Sequence, residues 1–290
     1  MSIYYEVKPE DSDFYTIGID VTHRCNMNCK NCYSPERLVE DFKKNDLISV
    51  FNNLKKRTEI RFTGGEPTLR QDLPELIMAA KKAKHRVAIM TNGIKLSDLE
   101  YCKNLYDAGL RFVCISLNGA DDDRIYTLID NQKCAFKKMT ALDNCIKTGF
   151  FININLIVVK GINEHCVSRI IDIVKRYNIK CTIRFRNIGQ IGNHMKQENY
   201  TFQELLDLIP NLLNIQKPNY QAYHKVNGHD EDHNVLFPLS NEPSNKIWIK
   251  ITDWAPVNSN IPDPGSKRRG RLTQNLMIAP FFENVELNGY

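Results

Sequence analysis

Tyr15-Thr16-Ile17-Gly18-Ile19-Asp20-Val21, separated by three residues from Cys25-Asn26-Met27-Asn28-Cys29-Lys30-Asn31-Cys32, is the stretch on which the chain's architecture turns. A β-branched apolar run of this kind reads as a buried strand, and it delivers three cysteines within eight residues to the loop at its end. Working outward, similar runs recur at Glu59 to Thr63, Arg86 to Met90, Phe112 to Leu117, Ile152 to Val159 and Cys181 to Phe185. Helical periodicity fills the intervals at Leu47 to Lys56, Leu73 to Lys84, Asp98 to Ala108, Asp122 to Thr148 with an interruption, and Glu164 to Tyr177. Ser97 and Gly149 stand where helix ends are expected. Strands alternating with helices predict an α/β fold of parallel units, because a parallel crossover needs a dozen or more residues. In such folds sites gather at the C-terminal ends of the strands.

Composition narrows the field. With 290 residues, 42% hydrophobic and 25% charged, the chain is not disordered, collagenous or a coiled coil. No stretch approaches the ~20 apolar residues of a membrane span, and Met1 to Glu6 carries neither a basic head nor a signal core. A cytoplasmic protein without a membrane partner is expected. The net charge of +5 suits an anionic ligand and falls well short of a nucleic-acid-binding extreme. The nine cysteines are an odd number and do not suggest a disulfide framework.

Three thiolates with no fourth nearby suit an iron-sulfur cube with one iron left open. His23 raises a zinc alternative, although its spacing is poor for closing a tetrahedron, and chance clustering is the third reading. The spacing of Cys25, Cys29 and Cys32, followed by Tyr33, resembles the signature loop of the radical S-adenosylmethionine (SAM) superfamily. The resemblance runs from about residue 15 to 190 and is nearest in pattern to the molybdopterin-precursor synthase-like branch. It implies a partial (β/α)6 barrel with a C-terminal α+β cap, one 4Fe-4S cluster on the three cysteines, and SAM as second cofactor. It also implies reductive cleavage of SAM to a 5′-deoxyadenosyl radical, with an electron donor such as flavodoxin or ferredoxin as partner.

Thr63-Gly64-Gly65-Glu66-Pro67 ends the second strand where the family places a segment that holds the SAM amino group. Two glycines permit close backbone approach, and a carboxylate can pair with an ammonium. The resemblance also assigns cofactor contacts to Tyr33, Thr91, Ser116, Asn118, Asn155, Lys160 and Arg184 at later strand ends. As plain turn chemistry, Asn92-Gly93 and Asn118-Gly119 need no ligand. Strand alternation puts Arg184 and Arg186 on one face, where both can meet an anion in the lumen.

After about Gly192 the rhythm changes to one helix, Phe202 to Leu213, and short apolar runs such as Lys246 to Ile251. Residues 1–191 are therefore read as the core barrel and 192–290 as a substrate-capping region. The absence of cysteine after Cys181 predicts that no auxiliary cluster is bound there. Lys267, Arg268, Arg269 and Arg271 put four cations in five residues, and with Arg186 they are the expected substrate contacts. His224, His229 and His233 read as loop residues, and Cys102, Cys114, Cys134, Cys145, Cys166 and Cys181 as small buried apolar ones. The expected substrate is a small polar, anionic metabolite such as a nucleotide, sugar phosphate or amino-acid-derived compound. The rival readings are a peptide-modifying maturase and a non-catalytic iron-sulfur or zinc-binding protein.

Overall fold

A computed structural model of the chain describes residues 5–189, 195, 198–220, 234–253 and 269–280. The barrel elements alternate as β1 (Thr16–Thr22), α1 (Lys44–Asn53), β2 (Glu59–Gly64), α2 (Leu73–Lys82), β3 (Arg86–Thr91), α3 (Leu99–Asp107) and β4 (Phe112–Ser116). They continue with α4 (Asp123–Ile129), α5 (Ala135–Thr148), β5 (Phe151–Ile157), α6 (His165–Tyr177) and β6 (Cys181–Arg186). Strands β1 to β6 pair in that order, each parallel to the next, as the strand-helix alternation predicts.

Period-two alternation sorts each strand. On β2, Ile60 and Phe62 are buried among the helices while Arg61 and Thr63 face the inner cavity. On β6, Cys181, Ile183 and Phe185 are buried and Arg184 and Arg186 face the cavity. The helices close the outer layer with apolar stripes, as α6 does with Val167, Ile170, Ile171 and Val174.

The expected interruption of the long helix falls between Ile129 and Ala135, where Asn131 takes a positive φ of 55°. Asp123 Oδ1 accepts the Ala135 amide at 2.8 Å and fixes the start of α5. Gly149 ends α5 in the left-handed conformation. The cap of α3 is Asp98 rather than Ser97, its carboxylate accepting from Glu100 N and Tyr101 N. Ser97 belongs to a preceding 3-10 turn, and its hydroxyl donates back to Ile94 O.

Residues beyond 192 add α7 (Phe202–Leu212), β7 (Asn234–Pro238), β8 (Ile247–Thr252), β9 (Arg269–Leu272) and β10 (Ile278–Pro280). These strands lengthen the barrel sheet at both edges, in the order β10-β9-β1-β2-β3-β4-β5-β6-β8-β7. Strand β8 runs parallel to β6 and β9 parallel to β1, and Arg269 and Gly270 of β9 join the cavity wall. Among the described residues no helix is long and apolar enough to cross a membrane.

Candidate functional site at the strand ends

The loop after β1 is built by short-range bonds at both ends. The Arg24 amide donates to Thr22 Oγ1 at 3.2 Å, and its guanidinium to Asp41 at 2.7 Å. Gly65 N reaches Thr22 O and Glu66 N reaches Arg24 O, both at 2.8 Å, which ties the Gly64-Gly65 turn to the loop. Farther on, Lys30 N bonds Ile129 O at 3.0 Å, and Met27 is buried against Ile94, Tyr126, Cys134 and Ala135. Cys25 and Cys29 pack on that apolar cluster, and burial pushes both thiols up from their ordinary range. Cys25, Cys29 and Cys32 are free thiols on the wall of one cavity of about 1350 Å³, its open mouth included.

Fit to the two cofactors is tested by what this wall offers. Among the described residues no three His, Cys, Asp or Glu side chains converge on a point that one metal ion would fill. An iron-sulfur cube needs its thiolates around a body larger than a single ion. Gly64 and Gly65 expose backbone to the cavity, and beside them lie Tyr33, Thr91, Ser116, Asn118, Asn155 and Arg184. The Oδ1 atom of Asn155 is buried and accepts no hydrogen bond among the described residues, so the wall presents an acceptor ready for a ligand's donor. These residues fit an iron-sulfur cluster with SAM beside it.

Two of the expected contact residues, Glu66 and Lys160, are not part of this cavity wall. Glu66 is buried behind the wall: Oε1 accepts from Thr68 N (3.1 Å), Thr68 Oγ1 (2.6 Å) and Thr91 Oγ1 (2.7 Å), and Oε2 from Asn92 N (2.7 Å). Burial raises its pKa even so, and its geometry is that of a strut joining the ends of β2 and β3. Lys160 lies in the turn after β5, paired with Glu198 and, at 3.6 Å, with Glu204. Those exposed carboxylates draw it outward from the cavity. Asn118 lines the wall with its amide already committed, Nδ2 to Asp130 at 2.9 Å and Oδ1 to Ile157 N at 3.0 Å. Tyr33 shares a short bond of 2.8 Å with Thr63 Oγ1 and accepts from Gly64 N at 3.3 Å, bracing the loop on β2.

The wall is strongly cationic. Arg61, Arg184, Arg186 and Arg269 line it. Burial, reinforced by the Arg184 charge, lowers the Arg186 pKa to about 10. Arg271, expected at the substrate, is turned instead to Asp20, with which it forms a buried ion pair. In the pairing of β9 with β1, Arg271 stands opposite Gly18. Lys267, Arg268, His224, His229 and His233 lie outside the described residues.

Sequence reading passed over Arg61, although its alternation with Thr63 marks it, and also Asn92, Asp130 and Lys138 on the same wall. Cys114, read as plain core, is buried yet also lines the cavity. Lys138 and Asp130 are buried, 3.4 Å apart, and Lys138 Nζ also donates to Ser116 O at 2.8 Å. Lys138→Met should lower stability by about 3–5 kcal/mol, because Asp130 is left as an unpaired buried charge. Chemical denaturation checks this, and Asp130→Asn added to Lys138→Met should recover part of the loss. A double variant no more stable than the single one would refute the pairing.

Comparisons with known proteins now bear on this geometry. The family model described as the radical SAM superfamily matches residues 19–174. The chain is 29% identical over 225 residues to a GTP 3′,8-cyclase of Staphylococcus carnosus, covering 72% of this chain and 65% of that enzyme. It is 35% identical over 163 residues to a 7,8-dihydro-6-hydroxymethylpterin dimethyltransferase of Methanocaldococcus jannaschii, covering 53% of this chain and 32% of that one. The chain thus spans less than two thirds of the length of either relative. Streptococcus suis SuiB bound to S-adenosylmethionine shares the fold, with a TM-score of 0.63 at 13% identity over 96% of this chain and 62% of that one. The matched span takes in the cysteine loop, the glycine turn and strands β2 to β5 of the cavity wall, and the chain belongs to the radical SAM superfamily of enzymes.

Proposed function

We propose that this enzyme binds one 4Fe-4S cluster on Cys25, Cys29 and Cys32 and SAM along the strand ends, and abstracts hydrogen from a small, polar, anionic metabolite. The observation that carries this reading is the single cavity in which the three thiols meet a wall of Arg61, Arg184, Arg186 and Arg269. When bound, the cofactor pair supplies reductive cleavage of SAM to a 5′-deoxyadenosyl radical, using an electron from a donor such as flavodoxin or ferredoxin.

The chain's own residues hold and orient. Gly64 and Gly65 bring backbone to the methionine end of SAM, with Thr91 and Ser116 beside it. Asn155 offers its buried acceptor to the nucleoside part. Glu66 acts through Thr91 and Asn92, keeping the β2 and β3 ends in register rather than touching SAM. Arg184, Arg186 and Arg269 receive the substrate's phosphate or carboxylate, where guanidinium forks give bidentate bonds. Residues 192–290 act as the substrate-facing region through Arg269. The nine free cysteines agree with a reducing, cytoplasmic setting.

The test is anaerobic reconstitution, dithionite reduction with SAM, and assay for 5′-deoxyadenosine. Deuterated candidates are then screened for label transfer, beginning with nucleoside triphosphates because the staphylococcal relative is a GTP cyclase. In Arg184→Gln with Arg186→Gln, KM for the active anion should rise at least tenfold, a loss of about 1.4 kcal/mol. Label transfer from an uncharged peptide but from no small anion would overturn the substrate class.

A further inference from the structure

Arg37 is a cation on the cysteine loop that neither the strand ends nor the anion wall explains. Its guanidinium lines the cavity five residues beyond Cys32, and Nη2 donates to Cys32 Sγ at 3.4 Å. Nη1 donates to Ser34 O and, at 3.3 Å, to Glu36 O, so the fork is anchored on the loop backbone while one arm reaches the sulfur. Glu36 Oε1 in turn accepts the Arg37 and Leu38 amides, both at 2.6 Å, holding the turn that presents the guanidinium.

The three thiols therefore have unequal surroundings. Cys29 packs on Met27, Ile94, Tyr126, Cys134 and Ala135. Cys25 has the Asn92 amide nitrogen 4.0 Å away, at the outer limit of a sulfur hydrogen bond. Cys32 is the thiol with a guanidinium donating to it. Arg37 itself is partly exposed.

We infer that Arg37 is a positioning residue that holds the Cys32 sulfur and makes the cluster carried by the three cysteines easier to reduce. The inference rests on the cluster reading given above. One electron added to a thiolate-bound cluster raises the negative charge on its sulfurs. A donated N–H and a nearby cation stabilise that reduced form more than the oxidised one. The step is addition of a single electron from an external low-potential reductant, and no bond or proton changes hands at Arg37.

The test uses the full chain, reconstituted anaerobically and examined without SAM or substrate. Iron and sulfide are assayed first, and the reduced cluster is then followed by EPR while the solution is poised with dithionite and mediators. Arg37→Gln should retain iron and sulfide, yet at a given poise show a reduced-to-oxidised ratio about tenfold lower, equivalent to about 59 mV more negative. Arg37→Lys keeps the charge but cannot hold Ser34 O and Cys32 Sγ together, and should lower the ratio about threefold. An iron-replete Arg37→Gln variant within twofold of the parent overturns the inference and leaves Arg37 as a loop strut. If Arg37→Gln does not hold a full cluster, Arg37→Lys decides: a threefold fall supports the inference and an unchanged ratio overturns it. Parent protein that takes up no iron and sulfide fails the cluster reading itself, and the assay reports this before any potential is measured.

Discussion

Cys29→Ala should abolish iron uptake and SAM cleavage together, whereas Cys181→Ala should leave both at the parent level. Cys29 sits midway along a loop pinned by Thr22 and Gly65 at one end and by Ile129 at the other. Its thiol packs on the apolar cluster around Met27 and Tyr126 and lines the cavity. Without it a cluster bound on this loop would keep only the Cys25 and Cys32 thiolates, since the segment holds no fourth cysteine. Cys181 lies at the start of β6, buried and away from the cavity wall. Cys134 is buried in the same apolar cluster as Cys29, so the alanine change is also made together with Cys134→Ala to exclude a substitute ligand. Iron and sulfide analysis with visible absorbance reads the result. Full iron in Cys29→Ala, or loss of iron in Cys181→Ala alone, would refute the ligand assignment.

The second large effect is expected at Gly65. A Cβ there would lie 2.4 Å from Arg24 O and 2.5 Å from His23 O, both rigid backbone atoms. Gly65→Ala must therefore push the cysteine loop off the end of β2, breaking the bonds Gly65 N to Thr22 O and Glu66 N to Arg24 O. Overpacking against backbone costs about 1–3 kcal/mol, and each lost hydrogen bond about 0.5–1.5 kcal/mol. The displaced loop should hold less iron even where the barrel stays folded. Gly161→Ala is the comparison: Gly161 has a positive φ of 73° but open space around its Cβ position. It should cost only the backbone strain of about 1–2 kcal/mol and leave iron content unchanged. Thermal denaturation and iron analysis of the two variants separate steric displacement from strain, and equal iron content in both would contradict the role of the close approach.

The six barrel strands and their helices were legible in the sequence to within a few residues, because each strand alternates and each helix carries its own apolar stripe. The same local periodicity put Arg184 and Arg186 on the cavity face, and covalent spacing alone brought Cys25, Cys29 and Cys32 together. Glu66 shows where such reasoning stops. Its place beside Gly64-Gly65 was plain, but which way the carboxylate pointed depended on Thr91 and Asn92, which the parallel pairing of β2 and β3 brings to it. Lys160 went to Glu198 and Glu204 for a similar reason, since both carboxylates lie about 40 positions farther along the chain.

The α/β architecture, the thiol cluster and the wall-forming strands are all set within windows of a few dozen residues. The tertiary structure decided which charges are spent on the fold and which face the cavity. Arg269 and Arg271 are two residues apart on one strand, yet Arg269 lines the cavity while Arg271 is consumed by Asp20, 251 positions away along the chain. The carboxylate that pairs with buried Arg271 comes from the neighbouring strand, and that register is written in strand pairing rather than in local sequence.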